Sequence, residues 1–461
     1  MIALTLRQIA EACDGRLEGG EPGTVIRRVS TDSRSLAPGD LFVGISGQRH
    51  DGSAFAAAAA AAGAAAVAGA RLSADLPVVV PRIVVDDGLT ALQRLAAAVR
   101  RRARARVVAV TGSAGKTSTK DILAALLRPV AATVATQGNF NNEVGVPLTL
   151  LSIEETTDVA VVELAMRGLG QIRELAKMVA PDVGVITNIA PVHLELVGGI
   201  EDVAAAKAEL LEGLEEHAVV VPGDEALLRP YLERYRGRVV TFGGLASDVR
   251  LVSAVPRADG TRAVVAAGGQ RVDLDFNFSG DHYLTDALAA VGAFVELGFP
   301  LAAARQGAGR VVFSENRGQV VALGDGGLLL NDAYNANPVA MRAAIDHLLQ
   351  LAGERPVVAV LGDMYELGPD SARFHAAVGR YAAERGVRLV AVGELGRDYL
   401  TGAPDETWQA TVDDCVKALP AVIPAGSAVL VKASRALRLE RVARALVELG
   451  EAYRSQAVRH V

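Results

Sequence analysis

The stretch Thr111-Gly112-Ser113-Ala114-Gly115-Lys116-Thr117-Ser118-Thr119-Lys120 decides how the rest of the chain is read. An apolar run, Val107-Val108-Ala109-Val110, leads into it, and a helix-forming run, Asp121-Ile122-Leu123-Ala124-Ala125-Leu126-Leu127, leads out. Strand, glycine-rich loop and helix, in that order, make a phosphate cradle. Glycines let backbone N–H groups close on phosphate oxygens, and the helix N-terminus adds partial positive charge. Gly112, Ser113, Ala114, Gly115 and Ser118 would line that cradle. Lys116 would reach the outer phosphates, and the Thr117 hydroxyl would ligate magnesium. The commoner spacing puts a Gly at 110; Val110 stands there, so the loop is the shortened Gly-x-x-Gly-Lys-Thr. Chance Gly and Lys at a strand–turn–helix junction is the bland alternative, and both context and spacing argue against it.

Composition sets the frame around this loop. At 461 residues the chain exceeds one ordinary core, so two or three domains are expected. Half of it is apolar (51%) and only 4% aromatic, as in an α/β protein packed with Ala, Val and Leu. A net charge of −6 argues against general nucleic-acid binding. The cluster Arg100, Arg101, Arg102, Arg104 and Arg106 reads as a solvated helix end. Two distant cysteines, Cys13 and Cys415, exclude a disulfide framework and a cysteine zinc site and suit a reducing cytoplasm. The first fifteen residues lack the pattern of a signal peptide. The Ala-rich residues 54–70 are short and broken by Gly63, so a helix–turn–strand unit is predicted and no membrane insertion.

Three blocks follow along the chain. Residues 1–82 hold short strands and turns around Ser30-Thr31-Asp32-Ser33-Arg34. Residues 83–313 carry the phosphate loop and apolar strands ending in polar residues, 159–162 before Glu163 and 183–186 before Thr187-Asn188. Helical patterns between them predict a mostly parallel sheet. Residues 314–461 repeat that logic with apolar runs at 327–330, 357–361, 389–392 and 428–431, a second doubly wound sheet.

Polar residues at these strand ends carry the candidate chemistry. Glu163 sits where nucleoside triphosphatases keep a magnesium carboxylate, though a strand-end Glu is as often solvated or a helix cap. His193, in Asn188-Ile189-Ala190-Pro191-Val192-His193-Leu194-Glu195, is at the ligand side of the sheet, but magnesium prefers oxygen, and spacing alone favours a structural histidine. Lys207, within a helical run, reads on its own as an exposed lysine. Asn142 belongs to an amide-rich turn, Asn139 to Pro147, and bonds either nucleotide or turn backbone. In the last block Asp332-Ala333-Tyr334-Asn335-Ala336-Asn337-Pro338, Gly362-Asp363-Met364-Tyr365-Glu366-Leu367-Gly368 and Lys432-Ala433-Ser434-Arg435 each follow a strand. Together they place polar groups at one sheet edge, where a second substrate would bind. No Ser/His/Asp set, His-Glu-x-x-His or Rossmann Gly-x-Gly-x-x-Gly is present.

These segments resemble the Mur ligase family over nearly the whole chain: the shortened loop, the Asn188–Glu195 motif followed by Lys207, Asn141-Asn142-x-x-Gly145-Val146-Pro147, and the three last-block motifs. The resemblance implies an α/β protein of three domains: a small N-terminal UDP-binding domain, a central P-loop ATPase with a mostly parallel sheet and a C-terminal Rossmann-like domain. It implies a cytoplasmic, monomeric ligase of peptidoglycan precursor synthesis that uses ATP to join D-alanyl-D-alanine to UDP-N-acetylmuramoyl-tripeptide through an acyl phosphate. It further implies two Mg2+ ions held by Thr117, Glu163, His193 and Lys207, the last as a carbamate, with Lys116, His193 and Lys207 catalytic. Asn142, His282, Arg317 and Asp332 would touch the nucleotide. Ser30, Thr31, Asp32, Ser33 and Arg34 would hold the UDP substrate, and Tyr334, Asn335, Asn337, Ser434 and Arg435 would also bind substrate. The chain departs from the family pattern at Asp286, where an Asn is usual, at Ala433, where a Gly is usual, and in the run Leu164-Ala165-Met166-Arg167. The phosphate machinery alone would equally suit a relative that adds one amino acid, a folylpolyglutamate-synthase relative, or a nucleotide-gated regulator.

Overall fold

The strand Arg106–Thr111 is apolar on both faces and fully covered from Val107 on, and Gly115 turns it into the helix Lys116–Leu127 through a left-handed residue (φ 76°). A computed structural model describes residues 1–47, 51–72, 80–257, 259–401 and 407–459. Gly47-x-x-x-Asp51-Gly52 also resembles the family's N-terminal pattern, and its three middle residues lie outside the described residues.

Around that strand lies a nine-stranded sheet in the order Gln270–Phe276, Gly260–Ala267, Val249–Arg257, Val239–Gly243, Ala218–Pro222, Val183–Ile186, Arg106–Thr111, Val159–Glu163 and Thr133–Ala135. The seven strands from Thr133–Ala135 to Val249–Arg257 run parallel, and the last two pair antiparallel. Register puts Glu163 beside Val110 and Ile186 beside Thr111, so the loop is flanked by the ends of both neighbouring strands. The helices Lys116–Leu127 and Asp281–Glu296 cover one face, with Ile122, Leu126, Leu288 and Val291 in a common core.

The antiparallel meander lies outside what fully apolar runs indicate. Gln270–Phe276 alternates, with Val272, Leu274 and Phe276 inward and charged residues outward. Period-two alternation after Gly268-Gly269, both at positive φ, was the available signal.

Residues before the central sheet form a five-stranded sheet, Arg16–Glu18, Arg82–Val84, Ala66–Gly69, Leu41–Val43 and Val29–Ser30, parallel except at the first pair. Arg82–Val84 straddles the 82/83 division expected from sequence. Within residues 54–70 the helix Ala56–Ala61 precedes the strand Ala66–Gly69. The helix Gly88–Arg102 starts at an Asp87 side-chain cap and packs Leu92, Leu95 and Val99 into a core continuous with Val107 and Leu150. Its C-terminal arginines face the negative end of the helix dipole. Arg100 also binds the Val179 carbonyl (2.8 Å) and Asp182 (2.9 Å), so it does more than sit in solvent.

The last sheet has the order Gln319–Ala322, Leu328–Asn331, Ala428–Lys432, Val357–Gly362, Arg388–Val392 and Thr407–Gln409, parallel except at its first pair. An apolar cluster lies on each face, the doubly wound arrangement that its continuous apolar strands require. Among the described residues no helix is long and apolar enough to cross a membrane, and Cys13 and Cys415 are buried free thiols.

Candidate active site

The phosphate loop is held from below by the next strand's end. Ala114 N–H donates to the Asn188 side chain (2.8 Å), Ser113 N–H to the Asn188 carbonyl (3.0 Å), and the Thr187 hydroxyl to the Ala114 carbonyl. Ser113 Oγ accepts from Ala190 N–H (2.9 Å). Gly112 (φ 142°) has no room for a side chain: a Cβ there would lie 2.0 Å from Thr187 Oγ1. The Lys116 ammonium folds over the loop, donating to the Gly112 carbonyl at 2.7 Å. Burial lowers its pKa to about 8, with Glu163 opposing and Arg317 assisting.

Thr117 Oγ1 donates to Glu163 Oε2 at 2.8 Å, and Asn141 Nδ2 to Glu163 Oε1 at 2.7 Å. Glu163 is 1% exposed, its N–H given to Thr136 Oγ1. In the departing run after Glu163, the Leu164 carbonyl accepts from Thr111 Oγ1 (2.9 Å) and Ala165 N–H donates to the Asn141 carbonyl (2.8 Å). Lys207, 1% exposed, is no surface lysine. Its pKa falls well below the ordinary value through burial and then through repulsion by Lys116, with Glu209 and Glu163 opposing. His193 adopts a left-handed backbone (φ 55°), and its Nδ1 meets the Glu366 carboxylate of the last sheet's loops. Burial lowers its pKa, against the pull of Glu366.

A cleft of about 570 Å3 joins the phosphate loop to the last sheet. His282, Asp286, Arg317, Asp332, Asn335 and Asn337 line it. Burial takes His282 down to about 3, so it is neutral at working pH. Arg317 lies 4.0 Å over the Tyr334 ring, and its buried Nε has no hydrogen-bond partner in the described residues. Asp332 pairs with Lys432, which also donates to the Asn335 carbonyl (3.0 Å). Asp286 presses against Gly115, where a Cβ would be 2.2 Å from Oδ1; burial raises its pKa well above a carboxylate's usual value, with Arg317 opposing. Ala433 is accommodated because it faces the bare Cα of Gly362, and Ser434 still donates its N–H to the Asp363 carbonyl (2.9 Å).

Other sequence candidates stand apart from the cleft or are occupied. Asn142 is exposed and accepts from Gly145 N–H (2.9 Å), the turn alternative. Asn337 caps the helix Pro338–Ala352 through Ala340 N–H (2.8 Å). Arg435 lies 5.8 Å from the Tyr334 ring. Ser30, Thr31, Asp32, Ser33 and Arg34 form a separate N-terminal turn, with Asp32 held down to about 2 by Arg34. Glu366, Asn141 and Lys432 join the site without having been singled out, although all three lie in motifs already noted. For magnesium, the oxygen pair Thr117 and Glu163 fits the ion's preference. Among the described residues no three His, Cys, Asp or Glu side chains gather as a metal cage, so phosphate oxygens or a modified Lys207 would have to complete a shell.

Comparison with known proteins gives a consistent result. Residues 25–100 match the model for the Mur ligase family catalytic domain, 110–294 the Mur ligase middle domain and 316–435 the Mur ligase glutamate ligase domain. The chain is 36% identical to the UDP-N-acetylmuramoyl-tripeptide–D-alanyl-D-alanine ligase of Bacillus subtilis, covering 97% of this chain and 99% of that one. A crystal structure of MurF from Acinetobacter baumannii superposes with a TM-score of 0.88 at 30% identity, covering 97% and 99%. MurF ligase from Thermotoga maritima in complex with ADP gives 0.80 at 29% identity, covering 93% and 98%.

Proposed function

The chain belongs to the Mur ligase family, and we propose that it joins D-alanyl-D-alanine to UDP-N-acetylmuramoyl-tripeptide in the cytoplasm, as a monomer, at the cleft between the phosphate loop and the last sheet. It is an ATP-dependent ligase. The observation that carries the reading of the site is that one cleft brings the phosphate loop against Arg317, Asp332 and Lys432.

In the proposed reaction the tripeptide's terminal carboxylate oxygen attacks the γ-phosphorus of ATP. The bond to the β–γ bridging oxygen breaks, ADP leaves, and an acyl phosphate forms. The dipeptide's free amine then attacks the acyl carbonyl, loses a proton and expels phosphate, leaving the amide. Two anions must approach in the first step, so positive charge has to be in place beforehand. The loop N–H groups and Lys116 supply it from the central sheet, and Arg317 from the last one. Asp332 and His282 would take the nucleoside end, His282 as a neutral imidazole. Asn142 contributes by shaping its turn. Ser30, Thr31, Asp32, Ser33 and Arg34 would hold the UDP moiety, while Tyr334, Asn335, Asn337, Ser434 and Arg435 edge the peptide pocket.

Thr117 and Glu163 would hold one Mg2+, and His193 with Lys207 a second, supplying charge neutralisation at the phosphates. Lys207 suits this only as a carbamate, which requires a neutral amine; the depressed pKa of the buried side chain favours that form.

The test is isotopic. With both oxygens of the tripeptide carboxylate labelled with 18O, released phosphate should carry one label, the oxygen that attacked phosphorus. Unlabelled phosphate would mean that water attacks ATP and that no acyl phosphate forms.

A further inference from the structure

Arg317 reaches the cleft from a linker whose two ends are fastened to different sheets. On the central side, Ser314 donates both its N–H and its Oγ–H to Asp121 Oδ2, each at 2.9 Å. Phe313 beside it stacks on Tyr283, centroids 4.6 Å apart. On the other side, the Asn316 carbonyl accepts from Tyr334 N–H (3.1 Å), Asn316 Oδ1 from Asn331 Nδ2 (3.0 Å), and Asp332 Oδ1 from Gly318 N–H (3.2 Å). Only Glu315, which is exposed, lies between the two anchorages. Asn316 and Gly318 are both left-handed, at φ 58° and 57°, and turn Arg317 between them over Tyr334.

Asp121 lies one turn after Thr117 on the helix that the phosphate loop opens. It pairs with Lys120 at 2.5 Å, and Lys120 donates to the Thr136 carbonyl (2.9 Å), while Thr136 Oγ1 accepts the Glu163 N–H. A continuous set of bonds therefore runs from Glu163 to Ser314. We infer that Asp121 and Ser314 are positioning residues: they fix the pivot at Glu315 to the phosphate-loop helix, so that Arg317 enters the cleft in register with the bound triphosphate. The inference rests on the proposed contact between Arg317 and nucleotide. It assigns Asp121 a task beyond neutralising Lys120, because both donors of Ser314 converge on it.

The test is a double-mutant cycle on the full-length enzyme. S314A removes the Oγ donor but leaves the Lys120–Asp121 pair and the backbone bond, so the fold should survive, with a thermal midpoint lowered by no more than a few degrees. We expect kcat to fall about tenfold, the effect of losing a hydrogen bond to a charged acceptor, with the KM for D-alanyl-D-alanine unchanged. S314T, which keeps a hydroxyl, should restore kcat. In an R317A background S314A should have no further effect, since there is no guanidinium left to position. Full additivity of S314A and R317A, or wild-type kcat in S314A, would overturn the positioning role. Wild-type kinetics in R317A alone would instead overturn the reading of Arg317 as a nucleotide residue, and the inference with it.

Discussion

Lys116 concentrates the electrostatic problem of the reaction in one side chain. Its ammonium lies over the loop, against the Gly112 carbonyl. Replacing it with Ala should lower kcat by about 10²- to 10³-fold, the usual cost of removing one preorganised donor, with an unchanged circular dichroism spectrum. Near-normal turnover would sink the phosphate-loop assignment. Lys207 makes a separate case. With 13C-labelled bicarbonate the wild-type enzyme should give a carbamate carbon resonance that K207A lacks, and bicarbonate should not restore K207A activity. A folded, active K207A enzyme would contradict the carbamate. The loop and Thr117 were legible in sequence because their spacing closes an apolar strand and opens a helix, whereas Glu163 alone read equally as a solvated or capping strand-end residue until set beside the loop. The burial of Lys207 was not, since an Ala-rich helix carries no period that marks its inward face.

Between elements, the contact of Asp281–Glu296 with Pro338–Ala352 joins the central and last sheets. His347 Nε2 meets Ser279 Oγ at 2.9 Å there, and Gln350 donates to Asp281 (3.1 Å). Burial lowers the pKa of His347 to about 4, against the pull of Asp332 and Asp281. The unfolded chain takes up this proton first, near pH 6.5, so the contribution is present at neutral pH and is lost as pH falls towards 4. Between pH 7 and 5 the loss is about 2 kcal/mol. The urea midpoint of the wild type should therefore fall more steeply over that interval than that of H347Q; parallel slopes would show that the buried imidazole is not the cause. The phosphate loop is the other junction where geometry sets the outcome. Gly112→Ala would drive a methyl into Thr187 at a φ that L-residues avoid, and should abolish nucleotide binding measured by calorimetry. The parallel runs 107–110, 159–162 and 183–186 were easy to read because they are buried on both faces and carry no polar side chain. Gly260–Ala267 and Gln270–Phe276 pair antiparallel instead, the latter alternating and carrying charges on its open face, and the bond between His347 and Ser279, in the turn before Asp281–Glu296, leaves no mark in sequence.

At the scale of the whole molecule, the central and last sheets meet at one cleft. Glu366 of the last sheet's loops meets His193 of the central sheet, and the Glu195 N–H points to the Glu366 carbonyl. Removing that carboxylate, in E366A, should cost about 10- to 100-fold in activity through loss of imidazole orientation, while ADP affinity of the phosphate loop stays unchanged. A parallel loss of ADP affinity would mean that Glu366 acts on the fold rather than on His193. The most direct test of the account is phosphate release from ATP and magnesium, measured with UDP-N-acetylmuramoyl-tripeptide and D-alanyl-D-alanine together and with each omitted in turn. Release is expected only when both are present, with a UDP-linked pentapeptide in the mass spectrum. Turnover indifferent to either substrate, or a product extended by a single amino acid, would contradict it.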